Sequence, residues 1–141
     1  EYVEGEEYTL DILTDFHGQP RCVVPRKRWE VRSGEVSKGV TVRNPLIIAI
    51  GEAVGRALPG PMGPITLQGF LTREGCFKLI EINPRFGGGH PLAIHAGAHF
   101  PRWIIEMMTG LPSTLDQEAW ESGMAMLRYD DAVYVRERDI L

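Results

Sequence analysis

Four residues in the middle of the chain carry side chains that could do chemistry together: Gln68, Glu81, Asn83 and Arg85. Glu81 and Asn83 stand two apart in the strand-like stretch from Cys76 to Asn83, and residues two apart on a strand leave the same face. A second strand pattern, Gly63 to Thr72, precedes it, with Glu74-Gly75 between them. Read as a two-residue hairpin loop, Glu74-Gly75 pairs Arg73 with Cys76, then Thr72 with Phe77, Phe70 with Leu79 and Gln68 with Glu81. Directly opposed residues share a face with Cβ atoms about 5 Å apart, so this register gathers Gln68, Glu81 and Asn83 into one cluster of oxygen donors. A slip of one residue would turn Gln68 to the other face, and a longer loop is the open alternative.

Oxygen donors with few carboxylates suit Mg²⁺, which completes its octahedron with water and substrate phosphates, whereas zinc would want His or Cys. Arg85 follows at once, and a guanidinium holds a phosphate bidentately. Gly87-Gly88-Gly89 comes next, offering backbone N–H groups to an anion, with His90 at its end, where it could line an acid-substrate pocket. For Glu81 alone, the simpler reading is a solvated strand end. The whole run points instead to a metal-bound phosphate meeting an acid substrate.

The elements that must position this run can be read from pattern. Glu7 to Thr14 alternates, with Tyr8, Leu10 and Ile12 on one face and Glu7, Thr9 and Asp11 on the other, as a half-buried strand does. A second strand runs from Arg21 to about Arg32. Asn44-Pro45 starts a helix, with the amide as N-cap and proline at N1. Its apolar residues Leu46, Ile47, Ile50, Val54 and Leu58 keep a helical period until Pro59-Gly60. Pro91 and Pro101 open short helices, the second carrying Trp103, Ile104 and Met107 inward, and Met124 to Val135 reads as a final strand pair around Asp130-Asp131. Trp103, Met107, Met108 and Trp120 read as core. The expected fold is α+β, a mostly antiparallel sheet flanked by helices.

The stretch Glu81-Ile82-Asn83-Pro84-Arg85 resembles the signature of the ATP-grasp superfamily, and the nearest resemblance is to the large chain of carbamoyl-phosphate synthase. It covers most of the chain from Glu1 to about Gly110, most specifically Glu1 to Tyr8 and Gln68 to Arg85. The resemblance implies the C-terminal lobe of an ATP-grasp fold over residues 1–110, with residues 111–141 as an extension packing on the same domain. It implies that Gln68, Glu81 and Asn83 hold two Mg²⁺ ions (Mn²⁺ could substitute) bridging ATP phosphates. Arg85 would stabilise the transferring phosphoryl group, backbone groups of Glu1 and Val3 would meet the adenine, and Glu7 would bind the ribose hydroxyls. The turn Arg32-Ser33-Gly34-Glu35 falls where phosphate or substrate contacts sit, making Arg32 a second catalytic anion anchor and Lys38 a weaker one. Asp11 shares the face of Glu7 without an assigned role. The second lobe and its nucleotide-binding lysines would lie upstream of Glu1, so this piece alone is expected to be inactive.

The chain has 141 residues, 43% of them apolar and 24% charged, with a net charge of −4. That suffices for one domain with a real core and disfavours charge-driven nucleic-acid binding. No apolar run is long enough to span a bilayer. Cys22 and Cys76 have no ligand-like spacing, which fits a reducing cytoplasm. The run Arg26-Lys27-Arg28 reads as a strand with a solvated face rather than a nucleic-acid patch. His95 and His99 are four apart, but Gly97 and Pro101 shorten any helix, so zinc is disfavoured. The leading expectation is an ATP-dependent ligase that phosphorylates a carboxylic acid and passes the acyl group to an amine or another nucleophile. A nucleotide-binding regulatory module without turnover and a purely structural domain are the competing readings.

Overall fold

In a computed structural model of the chain, residues 2–60, 62–129, 131–136 and 139 are described. Among these, the strands are β1 (Glu6–Thr14), β2 (Pro20–Arg32), β3 (Glu35–Thr41), β4 (Gly63–Leu71), β5 (Phe77–Asn83) and β6 (Ala125–Leu127), and the helices are α1 (Pro45–Ala57), α2 (His90–His95) and α3 (Phe100–Thr109). The strands form one sheet in the order β5-β4-β1-β2-β3-β6, with every neighbouring pair antiparallel. This is the expected α+β fold of an antiparallel sheet carrying helices.

Strand β1 is central, and its residues are buried on both faces. Tyr8, Leu10 and Ile12 pack with Val23, Ile65, Leu67 and Ile47 of α1. On the opposite face, Leu13 joins Cys22, Val24, Phe100, Trp103 and Trp120. The expected solvated face of β1 is therefore absent: Thr9 and Asp11 are buried, because cover lies over both sides of the strand.

Helix α1 starts as its sequence predicts. The Asn44 side chain accepts hydrogen bonds from the N–H groups of Leu46 and Ile47, satisfying two first-turn donors, a cap of about 1 kcal/mol. Ile47 is fully buried, whereas Leu46 is exposed and serves no core. In α3, Trp103 is buried and Ile104 and Met107 pack against the core, but Met108 lies on the solvent side and is not a core residue.

Two elements depart from expectation. Strand β3 was not anticipated: after the turn at Ser33-Gly34 the chain pairs straight back, Arg32 opposite Glu35. The expected terminal strand pair is a single short strand, β6, held to β3; residues 131–136 carry no strand, and Asp130 lies outside the described residues. Residues 111–128 are tied to the same sheet. Trp120 enters the core, Arg43 lies 4.0 Å over its ring, and the Thr41 hydroxyl donates to the Glu121 carbonyl at 2.7 Å.

The β4–β5 hairpin reaches the expected base by an unexpected route. Its loop is one residue longer than expected: the N–H of Thr72 bonds the Cys76 carbonyl, and Gly75, at φ +79°, closes a turn onto the Thr72 carbonyl. That is the three-residue loop in which a type I turn ends in a left-handed residue. Near the tip the register is Leu71 with Phe77 and Phe70 with Lys78, not Phe70 with Leu79. A bulge then inserts Ile80 into β5, and Gln68 stands opposite Glu81 after all.

Candidate functional site

Antiparallel register lays three rows of side chains across one face of the sheet. The first runs Asn83, Thr66, Asp11, Val24; the second Glu81, Gln68, Thr9, Arg26, Thr41; the third Phe70, Glu7, with Arg28 beyond. One end of this face is covered by α2, α3 and the glycine loop. The other is open, and there a cleft of about 120 Å³ lies between Gln68, Glu81, Arg28, Glu35, Arg85 and Gly87-Gly88-Gly89.

At the floor of the cleft, Arg26 is 1% exposed and Asp11 2%. The guanidinium donates from Nε to Asp11 Oδ2 at 2.6 Å and from Nη2 to Oδ1 at 3.1 Å, a bidentate pair. Burial pushes the Asp11 carboxyl up, but Arg26 and the neighbouring His90 outweigh it, so the group stays below its ordinary value and ionised. The glycine loop rests directly on this pair. A Cβ on Gly89 would collide with the Arg26 guanidinium and with Val36, and one on Gly88 with the Glu35 carboxylate. Here glycine serves close approach rather than an unusual backbone angle.

Arg28 is the second arginine that sequence reasoning assigned to a solvated face. Its side chain is 6% exposed. Nη1 donates to both Glu7 Oε1 at 2.5 Å and Gln68 Oε1 at 3.0 Å, and Nη2 to the Gly34 carbonyl at 2.8 Å. Arg26 and Arg28 were thus missed as site residues. The available signal was their spacing: two apart on β2, they share the face opposite to Lys27, and Asp11 and Glu7 are four apart, again on one face, on the neighbouring strand.

The residues expected in the site divide accordingly. Gln68, Glu81 and Arg85 line the cleft together with the three glycines. Asn83 sits beside them, its amide donating to Glu81 Oε1 at 3.0 Å. Thr66 anchors the start of the loop by donating to the Arg85 carbonyl at 2.8 Å, and the Arg85 guanidinium donates to the Phe86 carbonyl. Glu7 is one strand away, tied in through Arg28. Val3 borders a separate cleft of about 620 Å³ near Phe70 and Arg73, and Glu1 lies outside the described residues.

Two expectations fail. Arg32 does not join the cluster: register shifts on both sides of Glu30 break the two-residue alternation that would carry it to the face of Arg26 and Arg28. It is 68% exposed and pairs with Glu30, as does Lys38. His90 does not line the cleft but lies beneath the loop, between the rings of Phe86 and Phe100, with Nδ1 3.5 Å from Asp11. His95 closes α2 and His99 precedes α3, so the two share no helix.

The donor set fits a hard cation carrying an anion. Glu81, Gln68 and Asn83 offer only oxygen ligands, without thiol or imidazole, while Arg28 and Arg85 present positive charge on the same cleft. Two exposed carboxylates, Glu81 and Glu35, beside the guanidiniums of Arg28 and Arg85 match neither a bare cation nor a bare anion as well as a metal–phosphate pair.

No curated protein matches the chain significantly. Among solved structures, the biotin carboxylase subunit of pyruvate carboxylase superposes with a TM-score of 0.67 at 21% identity, covering 89% of this chain and 30% of that one. The biotin carboxylase domain of the Hydrogenobacter thermophilus 2-oxoglutarate carboxylase, solved with MgADP, ADP and bicarbonate, gives 0.64 at 19% identity over 88% and 29%. The phosphoribosylaminoimidazole carboxylase ATPase subunit from Aquifex aeolicus gives 0.64 at 15% identity over 80% and 37%. At such identities the likeness is one of fold, and the chain spans about a third of those proteins' length. The family described as ATP-grasp in the biosynthetic pathway with Ter operon matches residues 1–132, and the chain belongs to it.

Proposed function

We propose that this chain is the ATP- and magnesium-binding lobe of an ATP-dependent ligase that activates a carboxylic acid as an acyl-phosphate, as in carbamoyl-phosphate synthase, and passes it to an amine or related nucleophile in the cytoplasm. The observation that carries this reading is the convergence of Gln68, Glu81, Arg28 and Arg85 on one cleft beside the glycine loop. Glu81, Gln68 and Asn83 hold the metal, which supplies charge neutralisation to the nucleotide phosphates. Arg85 stands at the mouth of the cleft, where a guanidinium stabilises the charge of a phosphoryl group in transfer. The backbone N–H groups of the Gly87–Gly89 loop face the acid substrate. Glu7 holds the ribose and the segment around Val3 the adenine, with a second lobe of the full protein closing over the nucleotide.

The test is ADP release by the full-length protein with Mg·ATP across a panel of carboxylic acids and amines. At least one acid should stimulate release, and Glu81→Gln and Arg85→Met should each lower kcat by about 10²–10³-fold, the usual scale for losing one electrostatic contact in such chemistry. A wild-type protein that binds no Mg·ATP would sink the proposal.

A further inference from the structure

Arg28 makes more connections than any single role in the site requires. One nitrogen, Nη1, donates at once to the Glu7 carboxylate on β1 and the Gln68 carbonyl oxygen on β4, while Nη2 holds the Gly34 carbonyl at the β2–β3 turn. Nε is a buried donor with no hydrogen-bond partner among the described residues.

Gln68 explains why the link matters. Its amide can present either an oxygen or an NH₂ group, and the exposed carboxylate of Glu81, directly opposite, attracts the NH₂. A cation can be held only by the oxygen. Arg28, a donor without acceptor capacity, fixes that oxygen on the site side by occupying one of its two lone pairs and leaving the other. The same nitrogen fixes Glu7, which keeps further lone pairs for hydroxyl donors.

We infer that Arg28 is a positioning residue that couples sugar recognition at Glu7 to metal ligation at Gln68, so that the nucleotide is read as one unit. This inference rests on the proposed function. It predicts that the two contacts are energetically dependent. Binding of Mg·ATP to the full-length protein, measured calorimetrically, should weaken about tenfold for Glu7→Gln and about tenfold for Gln68→Ala. In the presence of Arg28 the double variant should weaken well short of the hundredfold that independent sites would give. Arg28→Met removes the nitrogen that donates to both acceptors. In that background, and equally in Arg28→Gln, the same two substitutions should become additive, and the dependence of ATP affinity on Mg²⁺ concentration should shift toward higher Mg²⁺. Thermal melts identify a folded background, and either variant suffices. Additivity with Arg28 present, or unchanged coupling in a folded Arg28 variant, would overturn the inference while leaving the ATP site intact. Absence of Mg·ATP binding by the wild type would instead remove the proposed function.

Discussion

The two ends of the cleft are built on opposite principles. At the β1–β2 floor, Asp11 and Arg26 are both almost wholly buried and saturate one another. At the β4–β5 rim, Glu81 and Arg85 are exposed, and β5 is an edge strand with Leu79 and Ile80 also facing solvent. Buried charge resists change, because removing one partner leaves the other without water or counterion. Exposed charge costs little to hold and remains available to a ligand. The site therefore has a floor that fixes the glycine loop and a rim that keeps its chemistry open.

The contrast is broken most directly by neutralising one charge at each end. Asp11→Asn strands Arg26 in the interior and should cost about 3–5 kcal/mol in denaturant unfolding. Glu81→Gln should change stability by less than about 0.5 kcal/mol, its effect appearing in turnover. Equal losses of stability would erase the distinction between floor and rim.

Glycine substitutions sharpen it. In Gly89→Ala the new methyl meets an Arg26 that Asp11 prevents from moving, and Val36 Cγ1 at 2.7 Å, so a cost of about 1–3 kcal/mol is expected. In Gly88→Ala it meets the end of Glu35, a mostly exposed side chain held only by a solvent-exposed ion pair with Arg128, and the loss should stay under about 0.5 kcal/mol. Thermal melts of the two variants, one residue apart, locate the boundary between the rigid and the yielding part of the loop.

The floor pair also sets a pH slope. Because the Asp11 carboxyl is held below its ordinary value, its contribution to stability is fully present above the unfolded-state pKa of about 4 and is lost as pH falls through the lower folded-state value. Unfolding free energy should therefore decline in acid by at most about 1.4 kcal/mol per pH unit from this group, and Asp11→Asn should lose that part of the slope. An unchanged acid slope in the variant would mean that the buried pair contributes no proton linkage.

The rim was legible in the sequence and the floor was not. The run from Glu81 to Arg85 keeps its chemistry within five consecutive residues, and Asn44-Pro45 marks the start of α1 by local chemistry alone. The Asp11–Arg26 pair depends on two strands meeting in one register, and a run of basic residues reads as solvated until its counterions are placed. Strand β3 was hidden because Lys38 and Gly39 interrupt its apolar pattern, although pairing on both sides with β2 and β6 holds it in place. Arg32 was misplaced for a related reason: counting by twos fails across register shifts that carry no signature in residue type.

The inserted Ile80 has a consequence for how this hairpin can vary. Its loop carries one residue more than the tightest turn, and without the bulge Gln68 would oppose Ile80, with Glu81 turned to the far face. The two irregularities cancel, so the tip and the base of the hairpin are kept in phase separately. A two-residue tip without a bulge and a three-residue tip with one bring the same residues, Gln68 and Glu81, face to face, so the ligand-bearing face does not move. The tip of this hairpin can therefore change its turn while its base stays in frame.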